Sequence, residues 1–164
     1  MSPDENEVTS LNTIAVFENS GERFAEAVAG AFTGASGDVA VNPCGRQGSA
    51  GRDNIVRDII IVSPGYSGVL RGKCRALLAP DECAAAAFSA QNVITYGFSP
   101  RATLTLSAAG AESGWLAVQR ELVTLSGVTV EEQELEIPML SGADASLAAA
   151  GGRLLLGLTG DSGS

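Results

Sequence analysis

The chain has 164 residues, ten basic against nineteen acidic, a net charge of −9, three cysteines and no histidine. That length supports one ordinary domain, and with 45% hydrophobic residues but few aromatics its core must rest on Ile, Val and Leu. The acidic balance argues against a nucleic-acid binder, which concentrates positive charge near phosphate, and no stretch is apolar and long enough to span a bilayer.

Residues 1–11, with Asp4, Glu5 and Glu7, repeat no apolar period and read as a disordered tail. The polar start MSPDENEVTS resembles neither a signal peptide nor a transit peptide, and an odd number of irregularly spaced cysteines is a poor disulfide framework. Both observations point to a reducing, cytoplasmic location. Residues 13–17, TIAVF, form a short β-branched run expected of a strand covered on both faces. Ser20 is placed to cap a helix over 21–32, in which Phe24, Ala27, Val28, Ala31 and Phe32 share one face.

Residues 38–42, DVAVN, predict a second strand, and 43–54 a glycine- and arginine-rich loop. Residues 58–62, DIIIV, predict a buried strand ended by Ser63-Pro64-Gly65. The order strand, helix, strand, loop, strand implies a parallel layer with right-handed crossovers. Residues 66–73 read as a loop or one helical turn, 75–79 as a strand or a helix start, and alanine-rich 82–90 as a helix. Residues 92–96, NVITY, predict another strand, closed by Gly97 and Pro100.

After residue 100 the periodicity changes. RATLTLS (101–107) alternates, WLAVQRELVTL (115–125) holds two strand-like stretches, and VTVEEQELEI (128–137) ends in alternation. Ser126-Gly127 is a hairpin turn signal. This third of the chain reads as antiparallel strands with one wet face, packed on the α/β layer; a separate domain is the alternative. Residues 143–150 predict a short helix stopped by Gly151-Gly152, and 153–158, RLLLGL, an apolar terminal segment or edge strand. The fold class is therefore α/β: a parallel-strand, Rossmann-like three-layer domain over residues 12–160, with an antiparallel β-extension in its C-terminal third.

The chemistry is sparse. SPGYSGVLRGKC (63–74) follows a buried strand, where a phosphate-binding loop would sit. Such a loop needs G-x-x-x-x-G-K followed by Ser or Thr; here Gly68 stands one residue too close to Gly72-Lys73, and Cys74 replaces the hydroxyl. The turn at Asn19-Ser20-Gly21 offers helix amides but lacks the glycines of a dinucleotide fingerprint. Ser20, Gly21, Gly65, Gly72 and Lys73 are thus the candidate contacts for a small anionic ligand. Arg46, Arg52, Arg57, Arg71 and Arg75 complete the one dense basic group, which reads otherwise as a solvated surface.

Cys44, Cys74 and Cys83 lack zinc-site spacing, and the missing histidine removes the commonest general base. Asp81-Glu82 could form an acidic pair and Glu131, Glu132, Glu134 and Glu136 a denser one, but the even-numbered glutamates, alternating along a strand, more plainly mark its solvent face. Trp115 and Tyr96 fit either a partner surface or the seam between sheet and extension. No catalytic residue, metal ligand or cofactor is assigned.

At 92–107, NVITYGFSPRATLTLS, the chain resembles the central domain of the Mur ligases, ATP-dependent amide-forming enzymes of peptidoglycan assembly. In that family a VITYG-like segment and a short alternating strand precede antiparallel strands and a phrase of the form G-x-H-N-x-x-N-x-x-A-A. Residues 141–150, SGADASLAAA, look like a worn version of that phrase, with Asp144 and Leu147 near its asparagines and the histidine missing. RALLAPDE (75–82) looks like the family's N-x-D-D-P strand. The resemblance covers 75–150; the P-loop, the metal-binding histidine, the often carbamylated lysine and the ATP-closing C-terminal domain have no counterpart.

It implies a stand-alone, non-catalytic binding or regulatory domain of the bacterial cytoplasm that binds a cell-wall precursor or a protein of that pathway. Two other readings stand beside it. One is a small nucleotide- or phosphate-binding enzyme using loop 63–74; the other is a structural module for self-association or a protein partner.

Overall fold

The structure is a computed structural model that describes residues 12–18, 23–32, 39–44, 55–64, 66, 72–81, 88–140 and 142–158. Its main element is an eight-stranded sheet. Five strands come from the first hundred residues: β1 (Asn12–Phe17), β2 (Val39–Cys44), β3 (Ile55–Val62), β4 (Gly72–Pro80) and β5 (Phe88–Tyr96). The later strands are β6 (Leu104–Ala109), β7 (Ser113–Val118), β8 (Leu122–Val123), β9 (Thr129–Val130) and β10 (Gln133–Pro138). Two helices are described, α1 (Phe24–Gly30) and α2 (Ala143–Leu156).

The sheet runs β2-β1-β3-β4-β5-β6-β7-β10. All pairings from β2 to β6 are parallel, and β6-β7 and β7-β10 are antiparallel. This is the expected α/β, Rossmann-like class with its antiparallel extension. The extension continues the same sheet: Tyr96 pairs with Leu104 across the β5-β6 seam, and the Thr103 N–H donates to Thr95 Oγ1 at 3.0 Å. Ser126-Gly127 does make a hairpin, joining β8 to β9 as a separate two-stranded ribbon with Gly127 at φ 93°. A left-handed residue there is what glycine supplies without steric cost.

Both described helices pack on one face of the sheet. Phe24, Ala25 and Val28 of α1 and Leu147, Ala148, Leu154 and Leu155 of α2 join Ile14, Val16, Ile59, Ile61, Leu78, Tyr96, Leu104 and Leu116 in one buried cluster. On the other face Ala15, Phe17, Ile60, Val62, Leu77 and Ala79 are buried with Tyr66 against them. The helix layer expected over that second face lies outside the described residues, as do the 1–11 tail, the 45–54 loop and the Ser20 cap.

The local expectations need several corrections. Helix α1 starts at Phe24, and its first turn is held by Glu18 at the end of β1, whose Oε1 accepts the Ala25 N–H at 2.9 Å. Pro43 and Cys44, expected in a loop, close the register of β2 against Val16 and Phe17. Residues 75–79 are strand. Residues 88–90, expected to be helical, open β5, because Phe88, Ser89 and Ala90 pair with Gly72, Lys73 and Cys74. Sheet pairing has overridden alanine's helix preference there.

The largest correction concerns the C-terminus. Gly151 and Gly152 do not stop α2, and 153–156 is helix rather than edge strand. A Cβ on Gly151 would lie 2.9 Å from Leu104 Cδ1 and Leu78 Cδ2, and one on Gly152 3.1 Å from the Phe32 ring. These glycines let the helix approach the sheet closely. The stop is Gly157 at φ 75°, after which the Leu158 N–H returns to the Arg153 carbonyl at 2.8 Å.

Candidate functional site

The order of the parallel strands positions the site. The chain leaves β1 for β2 on one side and then crosses to β3 on the other, so a switch of direction falls between β1 and β3. Ligands of open α/β sheets bind outside the carboxyl ends of the strands at such a point. Here that edge carries Glu18, Ser63, Tyr66, Asp81, Gly97 and Ser99.

Its first half is the turn after β3. The Ser63 N–H donates to the Phe17 carbonyl at 2.9 Å and the Tyr66 N–H to the Ser63 carbonyl at 3.2 Å. The Tyr66 ring meets Phe17 edge-on, with centroids 5.9 Å apart. Beneath it, the Tyr96 hydroxyl donates to the Val62 carbonyl at 2.5 Å, and its ring stacks on Phe24. Tyr96 is fully buried, which settles its two readings in favour of packing. Ser63 is also fully buried, and its hydroxyl makes no hydrogen bond. A buried polar atom without a partner is costly, so natural structures seldom keep one without a reason.

The second half lies at the ends of β4 and β5. The Asp81 N–H donates to the Tyr96 carbonyl at 2.9 Å, and Asp81 Oδ2 accepts the Ser99 N–H at 3.2 Å. The carboxylate lies where a side chain on residue 97 would sit: a Cβ on Gly97 would be 2.6 Å from Asp81 Cγ. The glycine of VITYG is therefore needed for the approach of the aspartate of RALLAPDE. Two segments sixteen residues apart thus form one carboxylate-bearing corner.

Of the sequence-predicted site residues, only Gly72 and Lys73 are described. Ser20, Gly21 and Gly65 lie outside the described residues. Gly72 and Lys73 are the first two residues of β4, at the amino edge of the sheet, and Lys73 is exposed. Ile61 pairs with Leu78, so Ser63 is level with Pro80. Lys73 stands seven residues down the strand, about 23 Å away at roughly 3.3 Å per residue. Ser63 and Lys73 therefore lie at opposite edges of the sheet, and the lysine does not sit beside the turn that follows β3.

The other candidates have structural roles. Arg75 pairs with Asp58 at 3.6 Å and donates to the Leu125 carbonyl at 2.6 Å, fastening the β8-β9 ribbon. Asp58 in turn accepts the Thr13 N–H at 2.9 Å. Cys74 is a free thiol whose burial raises its pKa from 9.0 to about 11, partly offset by a backbone hydrogen bond from Ile60. Glu134 and Glu136 of β10 are exposed, as the strand alternation implied, and Glu131 and Glu132 before it are exposed as well. Trp115 is 43% exposed on β7, beside Glu136 of β10. Among the described residues no group of His, Cys, Asp and Glu is placed to hold a metal, and no helix is long and apolar enough to cross a membrane.

Sequence reasoning missed a pocket of about 370 Å³ on the helix face, where α2 leaves the end of the sheet uncovered. Leu116 of β7, Leu135 and Ile137 of β10, and Ala149, Ala150 and Arg153 of α2 form half of its wall. The signal was present in the helical spacing of 149, 150 and 153, but it was lost with the expectation that the helix ends at Gly151. No family model, curated protein or solved structure matches this chain.

Proposed function

We propose that the chain is a non-catalytic binding or regulatory domain of the Mur-ligase central-domain type, whose ligand is a soluble cell-wall precursor met at the carboxyl edge of the parallel strands. The observation that carries this reading is the contact between Asp81 and Gly97. It unites two of the three segments on which the resemblance rests, and it does so on the edge where sheets of this class receive ligands.

In this reading the chain performs no chemical step and works in the bacterial cytoplasm. The position of Lys73 weighs against a phosphate-gripping enzyme built on 63–74. The outer strands β2 and β10 each contain a proline, Pro43 and Pro138, which weighs against association through open sheet edges. Calorimetric titration tests the proposal. A muramoyl-peptide precursor should bind with micromolar affinity and ATP with magnesium should give no heat. Tight ATP binding with a silent precursor would overturn it.

A further inference from the structure

We infer that the helix-face pocket is a second binding site, which takes a single-chain amphiphile with a carboxylate head, a medium-chain fatty acid in chemical class. It lies beneath β7 and β10, shares no lining residue with the corner formed by Asp81 and Gly97, and does not depend on the precursor reading. A volume of about 370 Å³ falls within the range of ligand cavities.

The wall decides the body of the ligand. Leu116, Leu135, Ile137, Ala149 and Ala150 present hydrocarbon. Ser146 also lines the space, but its hydroxyl is spent, donating to the Gly142 carbonyl at 2.7 Å and accepting the Leu140 N–H at 2.8 Å. A peptide backbone would leave its amides without partners against this wall, whereas an alkyl chain would not.

Arg153 decides the head. Its guanidinium is half-buried and donates from Nη1 to the Ala31 carbonyl at 3.3 Å and from Nη2 to the Leu158 carbonyl at 3.0 Å. These bonds fix the group in place and use part of its five-donor fork. Among the described residues no carboxylate lies within ion-pair distance of it. A fixed, partly desolvated guanidinium with no counter-charge among the described residues favours a carboxylate, which it can bind through two parallel hydrogen bonds. Glu136 also borders the pocket, but it is exposed, and water and salt screen its charge more than that of Arg153.

The test is calorimetry on the whole chain with decanoate, decanol and decylammonium below their micelle concentrations. Decanoate should bind one to one, and decylammonium about tenfold or more weaker. Arg153→Gln should weaken decanoate about tenfold while leaving decanol unchanged. Leu135→Trp, which fills the pocket from the edge strand, should abolish both. Should Arg153→Gln fail to fold, the head-group series on the unaltered chain decides. Absence of decanoate binding, equal affinity for the three heads, or binding that survives Leu135→Trp would overturn the inference.

Discussion

The two halves of the sheet are built on different rules. At β3, in the middle of the parallel half, Ile59, Ile60, Ile61 and Val62 are all fully buried, so alternate residues serve opposite faces and neither face of that strand meets water. In the antiparallel half only one face is covered. On β7, Leu116 is fully buried while its neighbour Trp115 is 43% exposed, and on β10 Ile137 is buried between exposed Glu136 and Pro138. The parallel half therefore has little freedom in its side chains, and what it offers a ligand is its carboxyl edge. The antiparallel half has an open face and an incompletely covered end, and what it offers is a pocket.

That contrast can be broken by substitution. Ile60→Ala should cost about 2–5 kcal/mol in chemical denaturation, the range for truncating a buried aliphatic side chain. Trp115→Ala should cost clearly less, because much of its ring is already in water; an equal loss would mean that the second face of β7 is covered. Gly151→Ala should cost about 1–3 kcal/mol through overpacking against Leu78 and Leu104. Gly157→Ala at the helix stop should cost about 1 kcal/mol, from its left-handed conformation. If Gly151→Ala proved neutral or stabilising, the close helix approach would be wrong.

The thiol gives a test by pH. Burial holds Cys74 protonated in the folded chain up to about 11, while the unfolded thiol ionises near 9.0. The unfolded state therefore releases a proton first as pH rises, and stability should fall between pH 9 and 11. Cys74→Ala should remove that part of the slope, which denaturant titrations at several pH values would reveal. At the small end, Glu134→Lys on the exposed outer strand should change stability by less than about 0.5 kcal/mol.

The same contrast explains what could be read from the sequence. TIAVF and DIIIV were legible because a strand buried on both faces is a continuous apolar run, and NVITY was legible by the same run although its Val93 is 57% exposed. The alternation of QELEI was legible because one face is wet. Residues 88–90 were misread because alanine's intrinsic preference is local, whereas pairing with 72–74 is not. Gly151-Gly152 was misread because a glycine that permits contact looks, in sequence, like one that ends a helix. That error hid Arg153 and the pocket. The corner at Asp81 and Gly97 was visible only as two separate motifs, since their contact depends on β4 and β5 being neighbours in register.

The most direct test of the central claim, that ligand meets the carboxyl edge of the parallel strands, is backbone amide shift mapping during titration with a muramoyl-peptide precursor. The account predicts changes centred on Glu18, Ser63, Asp81, Gly97 and Ser99, with Lys73 at the far edge unmoved. Changes centred on Lys73, with the Ser63 and Asp81 amides silent, would contradict it.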